Sequence, residues 1–285
     1  MKRYFATLLV FAFGGFGLQA QSLLWEITKS GSEQTSYLYG TIHIQEKEVF
    51  AFDAIVEEKL KSCDVFMPEL ILDEINPMTM MNSMLLPDSL DLTKLLSPEE
   101  YEILDGILKE KLGTGLMPFN KMKPFFISAQ LMQAEMKVEM PVALDMHLLA
   151  IARENDLETK ALETLEEQLS AINQIGLDDQ VDMLMESLSD DQDSLFAELK
   201  TAYLKGDLLA LMELMDDPSL PDEFEEAFLV TRNTKMAERI AANFQDQKGF
   251  YAVGAAHLGG ENGVIQMLLD QGFEVKAIPF EFQTH

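Results

Sequence analysis

The sequence predicts an α/β fold: a central mixed sheet built from N-terminal and C-terminal β-α-β halves, with a helical middle inserted between them. Three observations carry this. Sheet-forming segments lie at both ends of the chain, and apolar spacing of three and four fills the middle. The segment Tyr37-x-x-Gly40-x-x-His43 recurs as Tyr251-x-x-Gly254-x-x-His257. No stretch rich in Pro, Gly or Ser separates the halves, so residues 21–285 are expected to form a single domain.

Leu23–Lys29 reads as a strand, Ser30–Gln34 as a turn and Ser36–Ile42 as a second strand, together a hairpin. Asp53–Ser62 has helical spacing. Asp64–Leu70 is a short buried strand with Glu69 at its end. Ser97-Pro98-Glu99-Glu100 opens a helix with a capping box. Phe119–Met136 and Asp145–Asn155 continue the helical pattern, with Asp145 read as a cap. Glu158–Leu162 reads as a strand leading to Glu163. Asp178–Met215 and Pro221–Phe244 read as helices. Gly249–Val253, Gly260–Gln271 and Phe273–Ile278 then restore strand, helix and strand. The 18 methionines are expected to be adaptable core, with a Met-lined groove between the middle helices as the alternative.

Residues 1–20 read as a signal peptide. Lys2 and Arg3 precede an apolar run from Phe5 to Phe16, and Ala20 supplies the small residue for cleavage. The protein is therefore expected to be exported, to the periplasm or the extracellular space, with no stable membrane span after cleavage. Cys63 is the only cysteine, so no intrachain disulfide can form; it reads as a small buried hydrophobe. The net charge is −28, and removing residues 1–20 takes away two cations and no acid, which makes it −30. Such a field repels nucleic acid and anionic lipid, and no nucleic-acid partner is expected.

The paired motifs point to chemistry. Tyr-x-x-Gly is the tail of a strand, and the Gly permits a sharp exit or a close backbone approach. Each His then stands just beyond a strand's carboxyl end, where open α/β sheets place their ligands. After His257 the glycines at 259, 260 and 263 lead toward a helix whose N-terminus would favour an anion. Glu69 and Glu163 end two further strands, each able to serve as metal ligand, general base or partner of an arginine. Arg232 and Asn233 lie on the helix before the second motif. Two histidines and a carboxylate suit a catalytic divalent metal with an open position. His147 reads as structural and His285 as a chain terminus.

Tyr37–Ile44, Val65–Leu70, Ala161–Leu169, Arg232–Ile240 and Ala252–Val275 resemble, in order and spacing, the TraB/GumN family, which includes relatives of the Tiki metalloproteases. The resemblance implies a fold related to erythromycin-esterase-like and haem-binding ChaN-like proteins. It also implies that His43, His257 and Glu69 form the active centre; beyond the resemblance, Arg232 is expected to join the catalytic group and Glu163 the metal ligands, both close around that centre. The leading expectation is a metal-dependent hydrolase, a peptidase on peptide or protein substrates, using manganese, cobalt or zinc. The alternatives are a haem- or metal-binding protein without turnover, and a regulatory peptide-binding module on the same scaffold.

Overall fold

β1 (Leu24–Lys29) and β2 (Ser36–Thr41) form the expected hairpin, paired antiparallel from Leu24↔Tyr39 to Ile27↔Ser36. Gly31 adopts a positive φ of 84° in the turn, a conformation that glycine adopts without strain. The structure, a computed structural model, describes residues 22–188, 192–215 and 226–283. The segment read as a signal peptide, His285, half of the acidic run Ser189–Ser194 and the start of the helix expected from Pro221 lie outside the described residues.

The sheet has six strands in the order β4-β3-β5-β2-β1-β6. β3 (Val65–Pro68), β4 (Glu158–Thr159), β5 (Gly249–Gly254) and β2 run parallel; β1 is antiparallel to both its neighbours, β2 and β6 (Phe273–Ile278). The sheet is thus mixed, with both chain ends contributing. β5 lies between β2 and β3 at its centre. Its Gly254 pairs with Thr41 of β2, and its Ala252 with Pro68 of β3. The two motifs therefore lie on adjacent parallel strands, and Glu69 follows the strand on the other side.

Among the described residues thirteen α-helices surround or extend from this sheet, three of them short (Lys47–Phe50, Pro77–Ser83 and Leu92–Leu95); the other ten are numbered in chain order. α1 (Ala54–Lys61) is capped by Asp53, and α2 (Pro98–Leu112) opens with both legs of the Ser97/Glu100 capping box. α3 (Pro124–Glu135) starts later than the apolar spacing implies. Lys123 is extended before Pro124, and Pro124 takes the first helical position. α4 (Leu144–Glu154) and α5 (Leu165–Gln174) follow, with Thr164 and Glu167 forming a second capping box. The long acidic helix expected over Asp178–Met215 is three helices: α6 (Leu177–Ser187), α7 (Gln192–Leu204) and α8 (Leu208–Met215). Gly206, at φ 65°, ends α7, a left-handed step that apolar periodicity does not reveal.

α9 (Thr231–Asp246) follows a π-helical turn at Glu226–Val230, and α10 (Val264–Asp270) begins four residues later than expected because Gly260 is left-handed. β4 is shorter than expected, but its hydrogen bonding to the end of β3 continues: Leu162 N–H donates to Pro68 O at 2.7 Å, and Glu163 N–H to Glu69 O at 2.9 Å. That pairing holds the two glutamates side by side.

The principal core lies against the sheet and includes Leu38, Phe66, Phe250, Leu148, Met236 and Leu268. A smaller, all-helical core joins Leu104 and Leu108 of α2, Ile127 and Leu131 of α3, and Val181 and Leu184 of α6. No helix among the described residues is long and apolar enough to cross a membrane.

Candidate active site

The site forms where β2, β5 and β3 end. The glycine of each motif is needed for close approach. A Cβ on Gly40 would stand 2.7 Å from Leu258 Cδ1 and 3.1 Å from Ala255 Cβ, so the turn bearing His257 packs directly onto β2. A Cβ on Gly254 would stand 3.3 Å from Glu69 Oε1. The Gly254 N–H donates to that same oxygen at 2.5 Å.

Glu69, Glu163 and Arg232 form one buried group. Arg232, on the first turn of α9, is 9% exposed. Its Nη2 lies 2.9 Å from Glu69 Oε2 and 2.7 Å from Glu163 Oε2, and its Nε lies 3.0 Å from Glu163 Oε1. Gln168 of α5 donates to Glu69 Oε2 at 3.3 Å and to Glu163 Oε2 at 3.2 Å. Burial pushes the Glu69 carboxyl up, but His257 in its protonated form, Arg232 and the Gly254 N–H outweigh it and hold the acid below the usual carboxylate range. Glu69 is therefore ionised at neutral pH.

His257 sits on a one-turn 3-10 helix, Ala255–His257, and is 7% exposed. Its Nδ1 lies 2.6 Å from Asn233 Oδ1, while Asn233 Nδ2 donates to Asn262 O at 2.7 Å. Because a backbone carbonyl only accepts, this bond fixes the Asn233 amide. Oδ1 then accepts from His257, which places the ring proton on Nδ1. Burial pushes the His257 imidazole down against the pull of Glu69, so the ring is neutral near pH 7. Its Nε2 lone pair then lies 3.8 Å from the ionised Glu69 Oε1.

His43 stands at the more open side, with its side chain 66% exposed. Its Nδ1 is 3.2 Å from Asp145 Oδ1, and this hydrogen bond pushes its pKa up to about 9. Asp145 is not the cap expected from its position. Ala143 is the N-cap residue of α4, and the Asp145 carboxylate turns to His43 instead.

His43, His257, Glu69, Arg232, Asp145 and Gln168 all line one cavity of about 550 Å³. Glu163 lies directly behind it, its side chain fully buried under Arg232. The anion cradle expected at the glycines after His257 does not face this cavity: Gly259 and Gly260 pack against Met212, and the loop's Asn262 carbonyl orients Asn233. The residues that sequence reasoning left without a site role are Asp145 and Gln168. Asp145 had an ordinary explanation as a cap, and nothing in the spacing of Gln168 marks it. His147 packs on the rings of Phe50 and Phe52, and Cys63 is buried; both are structural.

Among the described residues no three His, Cys, Asp or Glu side chains form a finished ligand cluster. The parts nevertheless fit a divalent cation. Each histidine has Nδ1 held by an oxygen acceptor, Asp145 or Asn233, as metal-binding histidines do. This leaves both Nε2 atoms for ligation. The close approach of His257 Nε2 and Glu69 Oε1 sets two lone pairs against each other, which a cation between them relieves.

Metalloprotease TIKI1 of Danio rerio is 26% identical over 317 residues, covering 90% of this chain and 63% of that protein. Metalloprotease TIKI2 of Danio rerio is 24% identical, covering 90% of this chain and 61% of that protein. For Metalloprotease TIKI1 of Homo sapiens the identity is 24%, with 92% and 63% covered. The chain thus spans less than two thirds of the length of these relatives. No solved structure matches it. The sequence profile of the TraB/PrgY/gumN family matches residues 23–277, from β1 to the end of the sheet, and takes in both Gly-x-x-His motifs, Glu69, Glu163 and Arg232. The chain belongs to the TraB/PrgY/gumN family.

Proposed function

We propose that the protein is a metal-dependent hydrolase acting on peptide bonds, with manganese, cobalt or zinc as the ion that His43, His257 and Glu69 would hold. The observation that carries the reading is the placement of the His257 ring, its Nδ1 held by Asn233 and its Nε2 3.8 Å from Glu69 Oε1. The similarity to proteins named metalloproteases supports the same chemistry. A bound divalent ion polarises a scissile carbonyl and acidifies a water at neutral pH.

The chain's own residues do the rest. Arg232 and Gln168 hold Glu69 Oε2, which keeps the carboxylate ionised and turns Oε1 toward His257 Nε2. Asn233 holds the His257 tautomer that leaves Nε2 free. Asp145 orients His43, which gives up a proton before its Nε2 can ligate. Glu163 has both oxygens on Arg232, and we assign it to holding that guanidinium rather than to the ion. The negative net charge fits a peptide or protein substrate and no nucleic acid. The same reading takes residues 1–20 as a signal for export, which intact-mass measurement of protein from an envelope fraction would test.

Glu69→Gln tests the mechanism. Gln keeps the shape and can still accept from Gly254, but it neither takes a proton nor binds a divalent ion well. Hydrolysis of a peptide library should fall by about 100-fold or more, with Tm little changed, and His43→Ala and His257→Ala should match it. Full activity in Glu69→Gln would remove this residue from the mechanism.

A further inference from the structure

The cavity has a polar floor and apolar walls. On the floor each polar group already has a partner: His43 with Asp145, His257 with Asn233, and Glu69 with Arg232 and Gln168. The walls come from three helices. Met132 stands on α3 and Met136 just past its end, Phe196 and Leu199 on α7, and Leu211 and Met215 on α8. Met132 is 41% exposed and Met215 53%, so among the described residues this apolar wall stands open to water. No amine or carboxylate interrupts those six residues, so recognition there depends on apolar contact.

A volume of about 550 Å³ lies within the range of small-ligand pockets and accepts one large side chain with backbone on either side. Methionine is unbranched and polarisable, so a Met-lined wall re-packs around different apolar shapes but gains little from a methyl group. Charge sets the context of that side chain. With 49 acidic against 21 basic residues, the chain repels an acidic segment and attracts a cationic one.

We propose that this cavity selects a peptide segment by one large apolar side chain, Met, Leu or Phe, flanked by neutral or basic residues rather than acidic ones. The proposal rests on the peptidase reading of the same site and names its substrate class. One residue of the substrate enters between the Met-bearing walls, which brings its backbone over Glu69 and the two histidines.

The test is a binding measurement without turnover. Metal-free Glu69→Gln protein is titrated, with fluorescence anisotropy as readout, into labelled peptides. Lys-flanked peptides carry central Met, Leu, Phe or Ala, and a fifth has central Met between glutamates. The Met, Leu and Phe peptides should bind within about threefold of one another, and the Ala peptide at least about tenfold more weakly. The Glu-flanked peptide should also bind about tenfold more weakly at low salt, with the gap narrowing as salt is added. Placing Met132→Asp or Met215→Asp in the same background should weaken the Met peptide about tenfold and leave the Ala peptide unchanged. Both positions are exposed, so Tm should hold and separate a wall effect from misfolding. Equal affinity for Met and Ala, indifference to both wall substitutions, or equal binding of the Glu-flanked peptide would overturn the proposal. Cleavage is scored separately on wild-type protein supplied with manganese, cobalt or zinc. Selective binding without cleavage would sink the peptidase reading alone, and cleavage without apolar preference would sink this inference alone.

Discussion

At the scale of single residues, the site depends on which charges are held and by what. Asp145 holds the His43 proton, and the consequence for pH has a definite sign. A histidine whose folded pKa is raised contributes stability that is full below its unfolded value near 6.5 and lost as pH rises through about 9. Asp145→Asn in metal-free protein should bring the His43 titration, followed by NMR, back toward 6.5. The denaturant midpoint should fall at acidic and neutral pH but not above pH ~9. An unmoved titration would mean that Asp145 does not control the ring. Glu163 poses the opposite case, a buried acid facing a buried base. Glu163→Gln leaves Arg232 with Glu69 as its remaining carboxylate and should cost roughly 2–4 kcal/mol in urea denaturation. A loss under about 0.5 kcal/mol, the size of an ordinary surface substitution, would contradict the buried pairing. The placement of both histidines and Glu69 at one cavity was legible in the sequence because they follow short, recognisable strands. Asp145 could not, because a helix-start aspartate has a sufficient local explanation, and its contact lies 102 residues away in the chain.

At the scale of elements, the repeated Tyr-x-x-Gly-x-x-His becomes two neighbouring parallel strands, and the glycines set how near the His257 turn comes to β2. Gly40→Ala would push its methyl into Leu258 and the backbone of Ala255. The expected cost is about 1–3 kcal/mol of overpacking, with loss of hydrolysis because the turn carries His257. Wild-type stability and activity in that variant would show that the turn moves freely. The hairpin, the capping box at Ser97 and the order of strands and helices were legible, since hydrophobic period and cap chemistry act locally. The breaks in the Asp178–Met215 segment were not. A helix ended by one left-handed glycine keeps its apolar spacing on both sides, so periodicity runs through Gly206 unchanged. The late start of α10 has the same cause at Gly260.

At the scale of the whole molecule, the sheet gathers groups from both ends and the middle of the chain onto one carboxyl edge, under a cavity walled by α3, α7 and α8. The α/β class and the two-half construction followed from where the strand-forming segments fall. The apolar walls did not, because 18 methionines spread over several helices do not show which of them face one space. The surplus of acid acts over the entire surface. Salt screens its self-repulsion, so Tm should rise by several degrees between low and physiological ionic strength; a fall would show that paired surface charges dominate. That same surplus makes bulk metal titration ambiguous, since exposed carboxylates bind divalent ions weakly at many places. Location therefore matters more than stoichiometry. Anomalous diffraction from crystals soaked in manganese tests the central claim most directly. The predicted result is one dominant peak between His257 Nε2 and Glu69 Oε1, within ligating reach of His43 Nε2 and about 2.0–2.3 Å from its ligands, and absent in crystals of Glu69→Gln. Peaks confined to surface carboxylates, with the His257–Glu69 gap empty in the wild type, would contradict the account.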